Sequence, residues 1–293
     1  MHIDNFTNAQ RAEVLTAALP YIKKYYGKIV VVKYGGNAMI NEALKQQVME
    51  DIVLLHLVGV KVVLVHGGGP EITETLKKVG KESLFVDGLR VTDKETADIV
   101  QMVLAGKINK SLVNLLGTKG GKAMGISGMD GHLIEAEVKD ERLGYVGRIT
   151  KVNAEPIIDL LLHDYIPVVS TVGCDREGNT YNINADTAAA FIAGALEAES
   201  LITMTDIAGI LRDKDDPDSL IPVVDLKDTE ELFADGTISG GMIPKVECCR
   251  EALDKGVKKV FIMDGRIPHS LLIEILTDEG AGTMVIRDKN HEY

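Results

Sequence analysis

The chain has no tryptophan, only 4% aromatic residues, and three cysteines in 293 residues. Cys174 stands alone and Cys248 and Cys249 are adjacent. Neither a zinc-ligand spacing nor a disulfide framework is present, so packing roles and a reducing cytoplasm are expected. No apolar run reaches the ~18 residues of a membrane-spanning helix, and no membrane partner is expected. The N-terminus lacks a basic start leading into an apolar stretch, so no secretory signal is expected. Cations are scarce too: 32 Lys and Arg against 44 Asp and Glu, a formal charge of -12. A nucleic-acid binder would gather a basic surface, so no nucleic-acid partner is expected. A small anionic substrate stays compatible with that charge, because a few local Lys and Arg can outweigh the global sign.

Glycine, in contrast, is plentiful at 29 residues, and it is clustered. The chain is 45% hydrophobic and 26% charged. That is the balance of a globular protein, with length for one large α/β unit or two domains. Residues 9–26 read as a helix whose apolar stripe is Val14, Leu15, Ala18, Leu19 and Ile22. Pro20 predicts a kink there, and Gly27 a stop. Residues 29–34 and 60–66 are β-branched runs that each end in glycines, Gly35-Gly36 and Gly67-Gly68-Gly69. A helix is expected after each (42–57 and from Pro70), an order that predicts a parallel sheet flanked by helices. A long helix is expected from Thr92, as N-cap with Glu95 in a capping box, to Gly117. Residues 120–131 read as glycine-rich turns and 134–152 as hairpins. Further on, helices are expected at 155–163, 186–196 and 244–254, with strands at 166–169, 201–205 and, last, 257–263.

Glycines at the carboxyl ends of parallel strands let backbone N–H groups approach an anion, and a following helix N-terminus adds its dipole. Gly35-Gly36, Gly67-Gly68-Gly69 and Gly240-Gly241 are three such places, two of them near a lysine. Together they favour phosphate handling. Neither the dinucleotide fingerprint nor the Walker P-loop fits. Lys33 ends an otherwise buried strand, either snorkelling to solvent or serving a site. Lys245 opens a helix, where a cation is not favoured without an anion nearby; a solvated lysine is the plain alternative. Asp186 reads as a helix cap, or as an acid holding one or two lysines. Arg90 reads as a surface arginine or as a fork for a substrate carboxylate. Asp206 follows a strand, where a nucleotide-side loop would lie. Two lysines, glycine amides and Mg²⁺ on a nucleotide are what phosphoryl transfer asks for.

Six stretches, in order along nearly the whole chain, resemble the amino-acid kinase family. They are Lys33-Tyr34-Gly35-Gly36-Asn37-Ala38-Met39, His66-Gly67-Gly68-Gly69-Pro70, Gly88-Leu89-Arg90-Val91-Thr92-Asp93, Asn182 to Asp186, Thr205 to Leu211, and Gly240 to Lys245. The resemblance implies an α/β fold, a central mostly parallel sheet between helical layers, with an N-terminal kinked helix. It is similar to those members that use ATP, with Mg²⁺ carried on the nucleotide, to phosphorylate the side-chain carboxylate of N-acetyl-L-glutamate. The product is an acyl phosphate in arginine biosynthesis. No metal site built by the protein is expected.

The same resemblance implies roles. Lys33 and Lys245 would neutralise the transferred phosphoryl group and Asp186 would orient both. Gly35, Gly36, Gly67 and Asp206 would face the nucleotide and its phosphates. Gly68, Gly69, Arg90 and Asn182 would hold acetylglutamate. Residues 1–27 would be an oligomerisation helix, 28–180 an acyl-acceptor lobe, and 181–293 a nucleotide lobe with a C-terminal regulatory segment. Tyr21, His269, Glu274 and Gly280 resemble the arginine site of arginine-inhibited members, which are hexamers built as trimers of dimers. Glu71 departs from the pattern, where an amide is expected, and residues 214–219 form a longer polar loop. The rivals are a sister kinase for aspartate, glutamate, carbamate or a nucleoside monophosphate, and a catalytically silent arginine sensor.

Overall fold

Runs of β-branched residues build the centre of the molecule. The computed structural model describes residues 6–39 and 41–288. Two short helices, α1 (Asn8–Ala17) and α2 (Leu19–Tyr25), lead into β1 (Ile29–Tyr34). The chain continues through α3 (Glu42–Leu57), β2 (Lys61–His66) and α4 (Gly69–Lys78) to a small hairpin, β3 (Phe85–Val86) with β4 (Leu89–Arg90). Then come α5 (Lys94–Gln101), a π-helical stretch (Met102–Ile108) and α6 (Asn109–Thr118). β5 (Ala123–Ser127), β6 (Ile134–Val138), β7 (Gly147–Val152), α7 (Glu155–Leu162), β8 (Ile166–Ser170), β9 (Val172–Cys174) and β10 (Thr180–Asn182) follow. The last part holds α8 (Ala185–Ala195), β11 (Ser200–Thr205), β12 (Val223–Asp225), α9 (Thr229–Ala234) and α10 (Ile243–Asp254). β13 (Lys259–Asp264), α11 (Ser270–Leu276) and β14 (Gly282–Ile286) complete it.

The main sheet has eight strands in the order β12-β14-β13-β11-β1-β2-β8-β5. From β13 to β5 every neighbour is parallel. β14 turns antiparallel to β13, and β12 follows β14. Parallel strands are joined by crossovers that leave helices on both faces, so their side chains are buried on both sides. Val30, Val31 and Val32 are all fully buried accordingly. Successive side chains alternate between faces. Val31, Val63 and Val65 pack with α8 and α10 through Ala189, Ile192, Val246 and Ala252. Val30, Val32, Val62 and Leu64 pack with α3, α6 and α11 through Met49, Ile52, Leu112 and Leu271. The alanines of α8 leave little side chain between that helix and the sheet, which brings its first turn close to the end of β1. The sheet also runs unbroken across residue 180, because β1 pairs directly with β11.

Several expectations need correction. The turn-like stretch 120–131 contains β5, whose small residues carry no alternation but pair with β8. Strand β13 is not the last; β14 adds an antiparallel neighbour. The cap at the start of α5 is Asp93, whose Oδ1 accepts the Thr96 N–H at 2.7 Å, while Thr92 donates to Arg90 O. The expected kink of the N-terminal helix is present: it falls at Ala18, and Pro20 sits in the first turn of α2, where its missing N–H costs nothing. None of α1 is buried, and Val14, Leu15 and Leu19 are exposed.

Candidate active site

The strand ends and helix starts of the central sheet converge on one charge cluster. Lys33 near the end of β1 is only 8% exposed. Its Nζ lies 2.9 Å from Asp186 Oδ1, in the first turn of α8. That helix is capped by Asn184, whose Oδ1 accepts the Thr187 N–H at 3.0 Å. The capping role therefore belongs to Asn184, and the Asp186 carboxylate is left to the lysines. Burial pushes its carboxyl pKa up, but Lys33, Lys245 and the hydrogen bond from Lys33 outweigh burial and hold it below the usual range. Asp186 is thus an anion between two cations. Lys245 reaches the cluster from the first turn of α10, just after the 3₁₀ turn Gly240–Met242.

Two glycine turns border the same place. Gly35 and Gly36 follow β1, and Gly36 takes a φ of 70°, which favours glycine. Gly67, Gly68 and Gly69 join β2 to α4. Among the described residues, the N–H groups of Gly35, Gly36, Gly68 and Gly69 have no acceptor. The Gly67 N–H is bonded to Tyr34 O at 3.1 Å, so the free donors of that turn are Gly68 and Gly69. Gly68 has a second reason to be glycine: a Cβ there would collide with Leu104 and Ile108 of the π-helical stretch. A cleft of about 290 Å³ is lined by Lys33, both glycine turns, Arg90 and Asn182.

Arg90 is 7% exposed. Its fork donates to Ser83 Oγ, Thr73 Oγ1 and Gly69 O at 2.5, 2.8 and 3.0 Å, and its guanidinium stacks 4.7 Å from the centre of the Phe85 ring. Among the described residues no carboxylate lies within ion-pair distance of it, and burial lowers the guanidinium pKa.. A buried cation held only by neutral acceptors suits an anionic ligand. Asn182, at the end of β10, donates from Nδ2 to Thr92 Oγ1 at 3.3 Å. Thr73 and Ser83, which hold the Arg90 fork, escaped the sequence reading because short hydroxyls carry no motif of their own. Thr171 also lines the cleft and was missed for the same reason.

The remaining expected residues lie elsewhere. Asp206 follows β11 outside the cleft lining, where its charge acts on Arg266. Glu71 is ion-paired with Lys107. Tyr21, Glu274 and Gly280 line a second cavity of about 230 Å³ between α2 and the α11–β14 connection. Burial raises the Glu274 carboxyl pKa, although Ala281 N–H donates to it at 2.7 Å. His269 does not line that cavity; its Nδ1 sits 2.6 Å from Asp51 Oδ1. Burial lifts the Asp51 carboxyl to about 6, against the pull of His269. Among the described residues no three His, Cys, Asp or Glu side chains converge to hold a metal, and no helix is long and apolar enough to cross a membrane.

The chain is similar over nearly its whole length to known proteins. An acetylglutamate kinase of Brachyspira hyodysenteriae is 55% identical over 98% of this chain and 100% of its own. An acetylglutamate kinase of Moorella thermoacetica is 53% identical over 94% of this chain and 97% of its own. Among solved structures, N-acetylglutamate synthase from Neisseria gonorrhoeae, complexed with coenzyme A and N-acetyl-glutamate, superposes with a TM-score of 0.81 at 25% identity. The match covers 94% of this chain and 63% of the synthase. Carbamate kinase from Giardia lamblia bound to AMP-PNP shares the fold, at a TM-score of 0.63 and 20% identity, over 89% of this chain and 99% of its own. The amino acid kinase family profile matches residues 28–264, and the chain belongs to that family.

Proposed function

We infer that the protein is an acetylglutamate kinase: it transfers the γ-phosphoryl group of MgATP to the side-chain carboxylate of N-acetyl-L-glutamate. The observation that carries this is the pairing of two anion sites. A buried Arg90 without a described carboxylate partner lies in one cleft with Lys33 and four free glycine N–H groups. Arg90 and Asn182 hold the acceptor, and Lys33, Lys245 and the glycine amides hold the phosphates.

The chemistry asks for little proton handling. A carboxylate is already ionised at neutral pH, so its oxygen attacks the γ-phosphorus without a general base. The new O–P bond forms as the bond to the ADP oxygen breaks, and ADP leaves with that electron pair. Charge spreads over the equatorial oxygens, where the two lysines act most strongly. Asp186 anchors both lysines and keeps them aimed, as a positioning carboxylate. The Mg²⁺ arrives with the nucleotide as part of the substrate. Residues up to about 180 supply the acceptor side and those beyond it the nucleotide side, with Asp206 near the nucleotide.

Arginine is the inhibitor we assign to the second cavity, through Tyr21, Glu274 and Gly280, with His269 beside it. The buried Glu274 suits a guanidinium. The exposed face of α1 suits pairing with the same helix of another subunit, which closes three dimers into a hexamer. The test of function is ATP-dependent hydroxamate formation with acetylglutamate, glutamate and aspartate side by side. Acetylglutamate is expected to lead clearly; comparable rates with aspartate would refute the assignment.

A further inference from the structure

One buried group close to the cleft is unused by this mechanism. His66 closes β2 and is fully buried. Its Nδ1 lies 2.9 Å from Gly67 O, and its Nε2 lies 3.2 Å from Asn109 Nδ2. A carbonyl oxygen only accepts, so Nδ1 carries the proton; an amide NH₂ only donates, so Nε2 is bare. The Asn109 amide is oriented independently of the ring. Its Oδ1 accepts from Lys110 Nζ at 3.0 Å, and of the two Nδ2 hydrogens one goes to Val168 O at 2.9 Å while the other is shared between His66 Nε2 and Ile126 O at 3.3 Å. Burial lowers the imidazole pKa to about 4, opposed by the bond to Gly67 O and reinforced by the charge of Lys110, so the ring is neutral at pH 7. Only the Nδ1–H tautomer gives Gly67 O a donor and faces the Asn109 NH₂ with an acceptor.

That tautomer has a consequence for the glycine turn. In a trans peptide the C=O and N–H point in opposite directions. Holding Gly67 O against the ring therefore aims the Gly68 N–H away from it; Gly68 lines the cleft, and its N–H has no acceptor among the described residues. The peptide has glycine on both sides, so no Cβ resists its rotation. Something else must fix it. The π-helical stretch places Leu104 and Ile108 against Gly68, and Asn109 comes directly after it. Such stretches are often found at functional sites.

We propose that His66, with its tautomer set by Asn109, is a positioning residue that keeps the Gly68 N–H aimed at the anionic acceptor during phosphoryl transfer. This rests on the cleft being the acceptor site. If the peptide turned, a carbonyl oxygen would face the incoming carboxylate instead of a donor. Loss of one well-aimed donor costs about 10²–10³ in kcat where it has been measured directly.

Two isosteric amides separate this role from packing. In His66→Asn the side-chain NH₂ stands near the place of Nδ1 and can still donate to Gly67 O. In His66→Gln the amide reaches the place of Nε2 instead, where its Oε1 can accept from Asn109, and Gly67 O loses its donor. We expect His66→Asn to stay within about threefold of wild-type kcat, and His66→Gln to fall at least about tenfold with the KM for ATP changed less than about twofold. Equal kcat values for the two variants would overturn the proposal while leaving the kinase reading intact. Absence of wild-type turnover in the same assay would sink both. If neither variant folds, nitrogen-15 spectra of the wild-type histidines decide. A protonated Nδ1 and a bare Nε2 at His66 support the proposal; a protonated Nε2 overturns it.

Discussion

Replacing Asp186 with asparagine keeps the shape of the side chain and removes the charge that sits between Lys33 and Lys245. At the observed 2.9 Å, a unit charge pair in an effective dielectric of about 20 attracts by about 6 kcal/mol. Most of that is offset by the desolvation of both ions, whose side chains are only 10% and 23% exposed. The retained amide still accepts one hydrogen bond, so the net stability loss should be ~1–3 kcal/mol at neutral pH. Catalysis should suffer more. Two lysines without their anchor repel each other, and kcat should drop ~10²–10³-fold. The KM for ATP should rise little, because the site gains one unit of positive charge. The pH dependence has a definite sign. The folded-state pKa of Asp186 is lowered, so its stabilisation is complete above the ordinary aspartate value and is lost as pH falls through the folded value. Urea unfolding of both proteins at pH 7 and below about pH 4 should show the gap between them narrowing in acid. A kcat near wild type, or a stability gap that stays constant in acid, would refute the reasoning.

Other variants probe separate parts of the site. Lys245→Met should lower kcat by about two orders of magnitude with little change in the KM for ATP, since its charge matters most as the phosphoryl group separates; steady-state kinetics decide. Arg90→Lys should raise the KM for acetylglutamate far more than that for ATP, because a single ammonium cannot replace the fork; equal effects would count against an acceptor contact. Gly68→Ala should destabilise the fold by ~1–3 kcal/mol through its collision with Leu104 and Ile108, as read from denaturant midpoints. Deleting residues 1–26 should leave an active dimer with much weaker arginine inhibition, visible in light scattering and an arginine titration; a hexamer of full sensitivity would contradict the role of that helix.

Much of this was legible in the sequence where chemistry is local. The valine runs of β1 and β2 end in glycines, and both the strands and the free N–H groups lie where that pattern puts them. Lys33 stood out as a charge ending an apolar strand and Asp186 as an acid at a helix start, and they meet. What escaped depends on contacts between distant segments. Ala123 to Ser127 shows no strand pattern and becomes one only by pairing with β8. The cap expected at Asp186 is instead Asn184, whose side chain reaches the Thr187 N–H. The Arg90 fork is held by Thr73 and Ser83, and His66 by Asn109, partners that no local pattern announces. His269, grouped by motif with Glu274 and Gly280, turns instead to Asp51 on α3.

The central claim is that a carboxylate oxygen of acetylglutamate attacks the γ-phosphorus of ATP. It is tested most directly with acetylglutamate carrying oxygen-18 in its side-chain carboxylate. Hydroxylamine traps the acyl phosphate by attacking the acyl carbon, so the C–O bond breaks and phosphate departs with the bridging oxygen. Phosphorus NMR should then show released phosphate bearing a single oxygen-18, in step with hydroxamate. Phosphate released without the label would mean that water, not the carboxylate, takes the phosphoryl group, and would contradict the account.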